Sequence, residues 1–275
     1  MCRWLAYSGS PVLLEELLYK PANSLVTQSR HSRLGAETTN GDGFGVGWYA
    51  DAATPGLFLS TEPAWNDRNL RELSAQVSAG RVFAHVRAST GTAVQQTNCH
   101  PFRHGRWLWM HNGLITDFNL VRRDLAMTVD PSLYHEIEGS TDSEILFHLA
   151  LTFGLETDPL AAVARAVGCV EAAGRDHGLV YPIQMTVATT DGETTWAFRY
   201  SSRGRSRSLF HSNDITTLRE QYPDNPMLHS LSADTRLVVS EPLGDLHGAW
   251  REVPESACLV VTGGAGELRP FTPLR

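Results

Sequence analysis

Apolar residues in this chain come in short alternating runs closed by turn residues. That pattern constrains the fold more than any other feature. Period-two alternation suits a half-buried strand and cannot line one face of a long helix. Strands are expected from Arg3 to Ser8, Arg81 to Arg87, Arg106 to Met110, Thr235 to Ser240 and Ala257 to Thr262. Runs from Gln184 to Thr190 and from Thr194 to Tyr200 flank Asp191-Gly192, which reads as a hairpin. Gly43 to Tyr49 reads as a glycine-rich strand whose missing side chains admit another backbone, taken to be the N-terminal strand. Helices are fewer. They are expected over Leu13 to Tyr19, Asp67 to Ser78, and from Thr141 to Leu151 behind a Thr141/Glu144 capping box. A further helix is expected from Pro159 to Ala173, with Gly174 as its stop. Strands on both sides of a central helix pair make an α+β fold. The 275 residues suit one domain over 1–275, and the Gly- and Pro-rich tail, 263–275, is expected to wrap the surface.

Hydrophobic residues make up 42% of the chain and charged residues 19%, as in a globule with a sizeable core. A net charge of −7 argues against nucleic acid and against an anionic membrane as partners. An anionic small molecule needs only one or two local arginines and stays open. The first residues lack a basic segment followed by an apolar run, and no stretch approaches the ~20 apolar residues of a membrane span. A cytoplasmic protein with four reduced thiols is the expectation. Cys99, His100, His104 and His111 share no helical face, because Pro101 and Gly105 interrupt them, so no metal is expected, and no cofactor. Ser201 to Ser208, the one basic run, reads as a solvated loop.

Cys2 has unusual chemical potential. With Met1 removed, one residue carries a thiol and an α-amino group whose ordinary pKa is about 7.7–8.0. That amine can take the thiol proton, so no separate histidine base is needed. Such a nucleophile also requires donors for an oxyanion, a cation for a substrate carboxylate and an anion for a substrate ammonium.

Five ordered segments supply such groups: Met1-Cys2-Arg3, Asn40 to Gly45, His85 to Thr90, His111-Asn112-Gly113 and Gly139 to Glu144. In their order and spacing they resemble the class II glutamine amidotransferases, whose nucleophile is an N-terminal cysteine. The resemblance implies a four-layer αββα sandwich of two antiparallel sheets. It makes Cys2 the nucleophile, and Asn112 and Gly113 the oxyanion donors. Arg87, assisted by Thr90, takes the glutamyl α-carboxylate, and Asp142 the α-ammonium. The family often carries a histidine after this threonine, where this chain has Gly91. His111 is read as structural.

Pro21 to Ser24, Gln28-Ser29 and Ser32 to Leu34 add a likeness to stand-alone γ-glutamyl amidohydrolases. These include the fungal subunit that degrades glutathione and the ergothioneine-pathway hydrolases. The expected function is therefore cleavage of the γ-amide of glutamine or a glutathione-like γ-glutamyl compound through a Cys2 thioester. The expected partner is that small-molecule substrate, with a synthase or peptidase subunit also compatible. The alternatives are a glutaminase subunit that passes ammonia to a separate synthase, and a γ-glutamyl-binding protein without catalysis.

Overall fold

The computed structural model describes residues 2–34, 39–50, 52–89 and 91–274. In chain order the first half runs β1 (Arg3–Leu13), α1 (Leu14–Leu18), α2 (Leu25–Arg30), β2 (Phe44–Tyr49), β3 (Gly56–Ser60), α3 (Arg68–Ser74), β4 (Ser78–Val86), β5 (Phe102–His104), β6 (Trp107–Ile115) and α4 (Phe118–Thr128). There follow α5 (Asp142–Thr152), α6 (Pro159–Asp176), β7 (Ile183–Thr190), β8 (Thr194–Ser201), β9 (Phe210–Ser212), α7 (Ile215–Gln221), α8 (Pro226–Ser230), β10 (Arg236–Val239), β11 (Trp250–Glu252), β12 (Ala257–Thr262) and β13 (Ala265–Pro270).

Alternation along the strands builds the layers. β1 sends Leu5 and Tyr7 to a core shared with α1 and α2, and Trp4 and Ala6 to a second core between the sheets. β6 sends Trp107 and Trp109 to a third core under α4, α5 and α6, and Leu108 and Met110 back between the sheets. The first sheet has the order β11-β9-β10-β1-β4-β2-β3, the second β13-β12-β8-β7-β6-β5, and every pairing is antiparallel. The result is the expected αββα sandwich. Trp4, buried between the sheets, and Trp109, buried under the helices of the second sheet, are side chains whose truncation costs about 3–5 kcal/mol.

Several local expectations differ from the structure. β4 lies between β1 and β2, so the glycine-rich strand does not meet the N-terminal strand. The backbone that approaches it belongs to His100: a Cβ on Gly45 would strike that carbonyl. α6 runs through Gly174 to Asp176. A side chain at Gly174 would strike Pro182, and the left-handed turn after the helix falls on Gly178 (φ 77°). In the tail, Ala265–Pro270 form the edge strand β13 beside β12, and Phe271 is buried. All six β13 residues are exposed, so that strand carries no alternation to read.

Candidate active site

The same alternation brings the site together. Cys2 continues the parity of Trp4 and Ala6. Arg87 continues that of Phe83 and His85, and Asn112 that of Leu108 and Met110. These positions face the space between the sheets, and at one end of the sandwich that space opens into a cavity of about 60 Å3. Cys2, Arg87, Asn112, Gly113 and Asp142 all line it. Thr90 lies outside the described residues.

Cys2 is held from behind. Arg3 is 3% exposed; its guanidinium donates to the Cys2 carbonyl (2.9 Å) and pairs with Glu241 (3.2 Å). The Glu241 carboxylate also accepts Asn23 Nδ2–H (3.0 Å) and the backbone N–H of Arg33 and of Leu34. Gln28 closes the ring by donating to the carbonyls of Asn23 and Glu241. The segments Pro21 to Ser24, Gln28-Ser29 and Ser32 to Leu34 thus form a cage around the carboxylate that anchors Arg3. A buried charge kept this way is fully partnered; removing one member of such a pair usually costs about 3–5 kcal/mol. Burial pushes the Cys2 thiol up from its ordinary value, opposed by a backbone hydrogen bond at Ala88 and by the Arg87 charge. A thiol so raised stays protonated until a base takes its proton.

Arg87 follows β4 and is buried. Its guanidinium donates to Thr92 Oγ1 (2.7 Å) and to the carbonyls of Ala93 (3.1 Å) and Asp42 (3.2 Å). Asp42 in turn accepts the Ser89 N–H at 2.7 Å. Asn98 joins this turn to the one before α5: its amide donates to the Ala93 carbonyl (2.9 Å) and accepts Ser140 N–H (2.9 Å). Thr141 caps α5 by accepting Glu144 N–H (3.2 Å). The Glu144 carboxylate reaches the N–H groups of Glu138 and Gly139 instead of completing a reciprocal box. Asp142, in the first turn, accepts Ile115 N–H (2.8 Å) and so fastens the helix to the end of β6. Asp42 lies inside the Asn40 to Gly45 motif with no task expected of it, and Asn98 lies in none of the five motif segments. The signal for Asp42 was its place between two glycines. Asn98 carried none, because its partners are 5 and 42 residues away.

Asn112-Gly113 lies within β6, so this dipeptide is a strand segment and no turn. Among the described residues the Asn112 side-chain amide makes no hydrogen bond, and it faces the cavity. The Asn112 backbone carbonyl accepts Thr186 Oγ1–H (3.3 Å), and Thr186 Oγ1 accepts the Trp4 indole N–H (3.3 Å). That chain sets the spacing of the two sheets beside Cys2. A Cβ on Gly113 would strike the Gln184 carbonyl and stand 2.8 Å from Met185 Cα, so only glycine fits.

Three buried histidines stand at the cavity: His100 and His111 line it, and His85 lies behind them. The rings of His85 and His100 pack with centroids 4.3 Å apart, and His111 Nδ1 pairs with Ser143 Oγ at 2.8 Å. Burial lowers the pKa of all three, that of His85 to about 3. The unfolded chain protonates these rings near pH 6.5, so below that pH it binds more protons than the folded one. Stability from this source is complete above about pH 6.5. It falls below that pH by up to about 1.4 kcal/mol per pH unit for each neutral histidine. Urea midpoints measured from pH 8 to pH 5 should be level above 6.5 and descend below it, less steeply in His85→Leu. A level midpoint down to pH 5 would show that these rings are protonated in the fold.

Comparisons with known proteins agree with this arrangement. The family model of class-II glutamine amidotransferases matches residues 20–221. A probable glutamine amidotransferase, DUG3, of Saccharomyces cerevisiae is 34% identical over 95% of this chain and 82% of its own length. A gamma-glutamyl-hercynylcysteine sulfoxide hydrolase of Mycolicibacterium smegmatis is 29% identical, covering 82% of this chain and 90% of its own. The solved structure of a glutamine aminotransferase class-II domain protein from Silicibacter pomeroyi superposes with a TM-score of 0.74 at 32% identity, over 100% of both chains. With five of its motif residues gathered at one cavity and likeness along nearly its whole length, the chain belongs to the class-II glutamine amidotransferases.

Proposed function

We propose that this chain hydrolyses the γ-amide of a γ-glutamyl compound, with Cys2 as nucleophile once Met1 is removed. The observation that carries the reading is the convergence of Cys2, Arg87, Asn112, Gly113 and Asp142 on one cavity from separate stretches of sequence. The freed α-amino group takes the thiol proton, and the thiolate attacks the side-chain carbonyl carbon. The oxyanion that forms is held by the Asn112 amide and the Gly113 N–H. Its collapse expels the amine, which leaves with the proton from the α-ammonium. Water then attacks the thioester and releases glutamate. Arg87, with Thr90, takes the α-carboxylate, and Asp142 the α-ammonium. The name of the mycobacterial relative, a hydrolase of a γ-glutamyl compound, supports hydrolysis over ammonia delivery.

Purified chain, alone, is expected to release glutamate from glutathione or a similar γ-glutamyl amide. Turnover of glutamine alone, and only after a second protein is added, would make it an ammonia-donating subunit. Binding without turnover would make it a γ-glutamyl-binding protein. In the same assay Asn112→Ala should lower kcat about 10²–10³-fold with KM little changed, because the lost donor acts mainly in the transition state. An equivalent rise in KM at constant kcat would reassign Asn112 to ground-state binding.

A further inference from the structure

Beside the small cavity lies a larger one of about 660 Å3, and Asn112 and Arg207 line both. Arg203, Arg205 and Arg207 line the large cavity, and all three come from the segment between β8 and β9. That segment is the basic run read from sequence as a solvated loop. It is not loosely held. Glu255 accepts from both the N–H (2.9 Å) and the hydroxyl (2.7 Å) of Ser206. Ser208 Oγ donates to the Ser240 carbonyl (2.9 Å), and Gln184 Nε2 donates to the Arg205 carbonyl (2.8 Å). Serines and backbone anchor the run while arginines border the open space.

The charge there is reversed relative to a chain of net charge −7. Among the described residues the one carboxylate lining the cavity is Glu252, which is paired with Arg199 (2.6 Å). The Arg203 guanidinium lies 5.6 Å from the centroid of the Tyr181 ring, and Arg205 has no ion pair among the described residues. Both arginines are exposed. We propose that this cavity is the leaving-group subsite, and that it selects γ-glutamyl compounds whose amine portion bears a carboxylate. Such an amine is an α-amino acid or a short peptide. The inference rests on the hydrolase reading above. Ammonia needs neither the volume nor the charge. A carboxylate matches the planar fork of arginine, and a cationic cavity raises the local concentration of anionic substrate.

The test compares γ-glutamyl-alanine with γ-glutamyl-alaninamide, equal in size and one charge apart. The kcat/KM ratio, acid over amide, should be about ten-fold at low salt and shrink as salt rises. In Arg203→Ala/Arg205→Ala, whose replaced side chains are both exposed, the ratio should fall toward one. Arg205→Lys should keep most of it, and Arg205→Glu should push it below one. γ-Glutamyl-alanyl-glycine and its C-terminal amide locate the carboxylate: the larger ratio tells whether an amino acid or a dipeptide reaches the arginines. Equal hydrolysis of acid and amide by wild type overturns this inference alone, as does an unchanged ratio in the double variant. Hydrolysis of none of the four overturns the hydrolase reading and this inference with it.

Discussion

Cys2→Ala should abolish turnover of γ-glutamyl amides, a loss on the order of 10⁶ in kcat, as when a covalent nucleophile is removed elsewhere. The alternation of β1 puts the thiol on the cavity side, and Arg3 holds its carbonyl. Burial pushes that thiol's pKa up, so the proposed mechanism needs a base, and the α-amino group freed by loss of Met1 is the one proposed. Two measurements follow. Intact mass and N-terminal sequencing of active protein should show a chain that begins at Cys2. Acid quenching during turnover should trap a glutamyl thioester on the peptide that starts there. Full activity in protein that retains Met1 would remove the amine as base, and a glutamyl adduct on Cys99 or another residue would move the nucleophile.

The second large effect concerns the two ends of the glutamyl head group. On the proposed placement of that head group, Arg87→Ala and Asp142→Ala would each leave one substrate charge unpaired in a partly dry site. Losing one partner of such a pair typically costs about 2–5 kcal/mol, or about 30-fold to several thousand-fold in kcat/KM. The pattern decides more than the size. Wild type should strongly prefer a free γ-glutamyl group over one with an esterified α-carboxylate or a blocked α-amine. Arg87→Ala should lose its discrimination against the ester, and Asp142→Ala its discrimination against the blocked amine. Both side chains carry structural bonds as well, Arg87 to Thr92 and Ala93, Asp142 to Ile115 N–H. A general loss of activity could come from those bonds, but a selective loss of discrimination could not. Wild-type discrimination by both variants against both analogues would place the glutamyl head group elsewhere.

How much was legible in advance depended on the range of the interactions. Alternation is local, so the long strands β1, β4, β6, β7 and β8 could be read from their residues, and so could the hairpin at Asp191-Gly192. The shortest strands could not. β5, β9 and β11 have three residues each, too few for a period to emerge. The helix after Thr141 was legible because its cap lies three residues from its partner.

The sequence by itself determined the inventory of the site: Cys2 beside a potential amine, the Arg87, Asn112-Gly113 and Asp142 motifs, and the strand parity that each inherits. Only the tertiary structure decided how they meet. It put the strand that follows Cys2 beside the one that precedes Arg87, and brought both residues to one cavity with Asn112 of the second sheet. It made Asn112-Gly113 part of a strand, although that dipeptide is locally a good turn, because pairing with Thr186 and Met185 in β7 outweighs the local preference. It also closed the Glu241 cage from partners 207 to 238 residues away, and turned a basic run into the wall of a cavity. The reason is common to all four. Local preference reaches only a few residues along the chain, whereas these contacts exist only after two sheets have paired and stacked, when burial and hydrogen bonding repay the entropy of closing long loops.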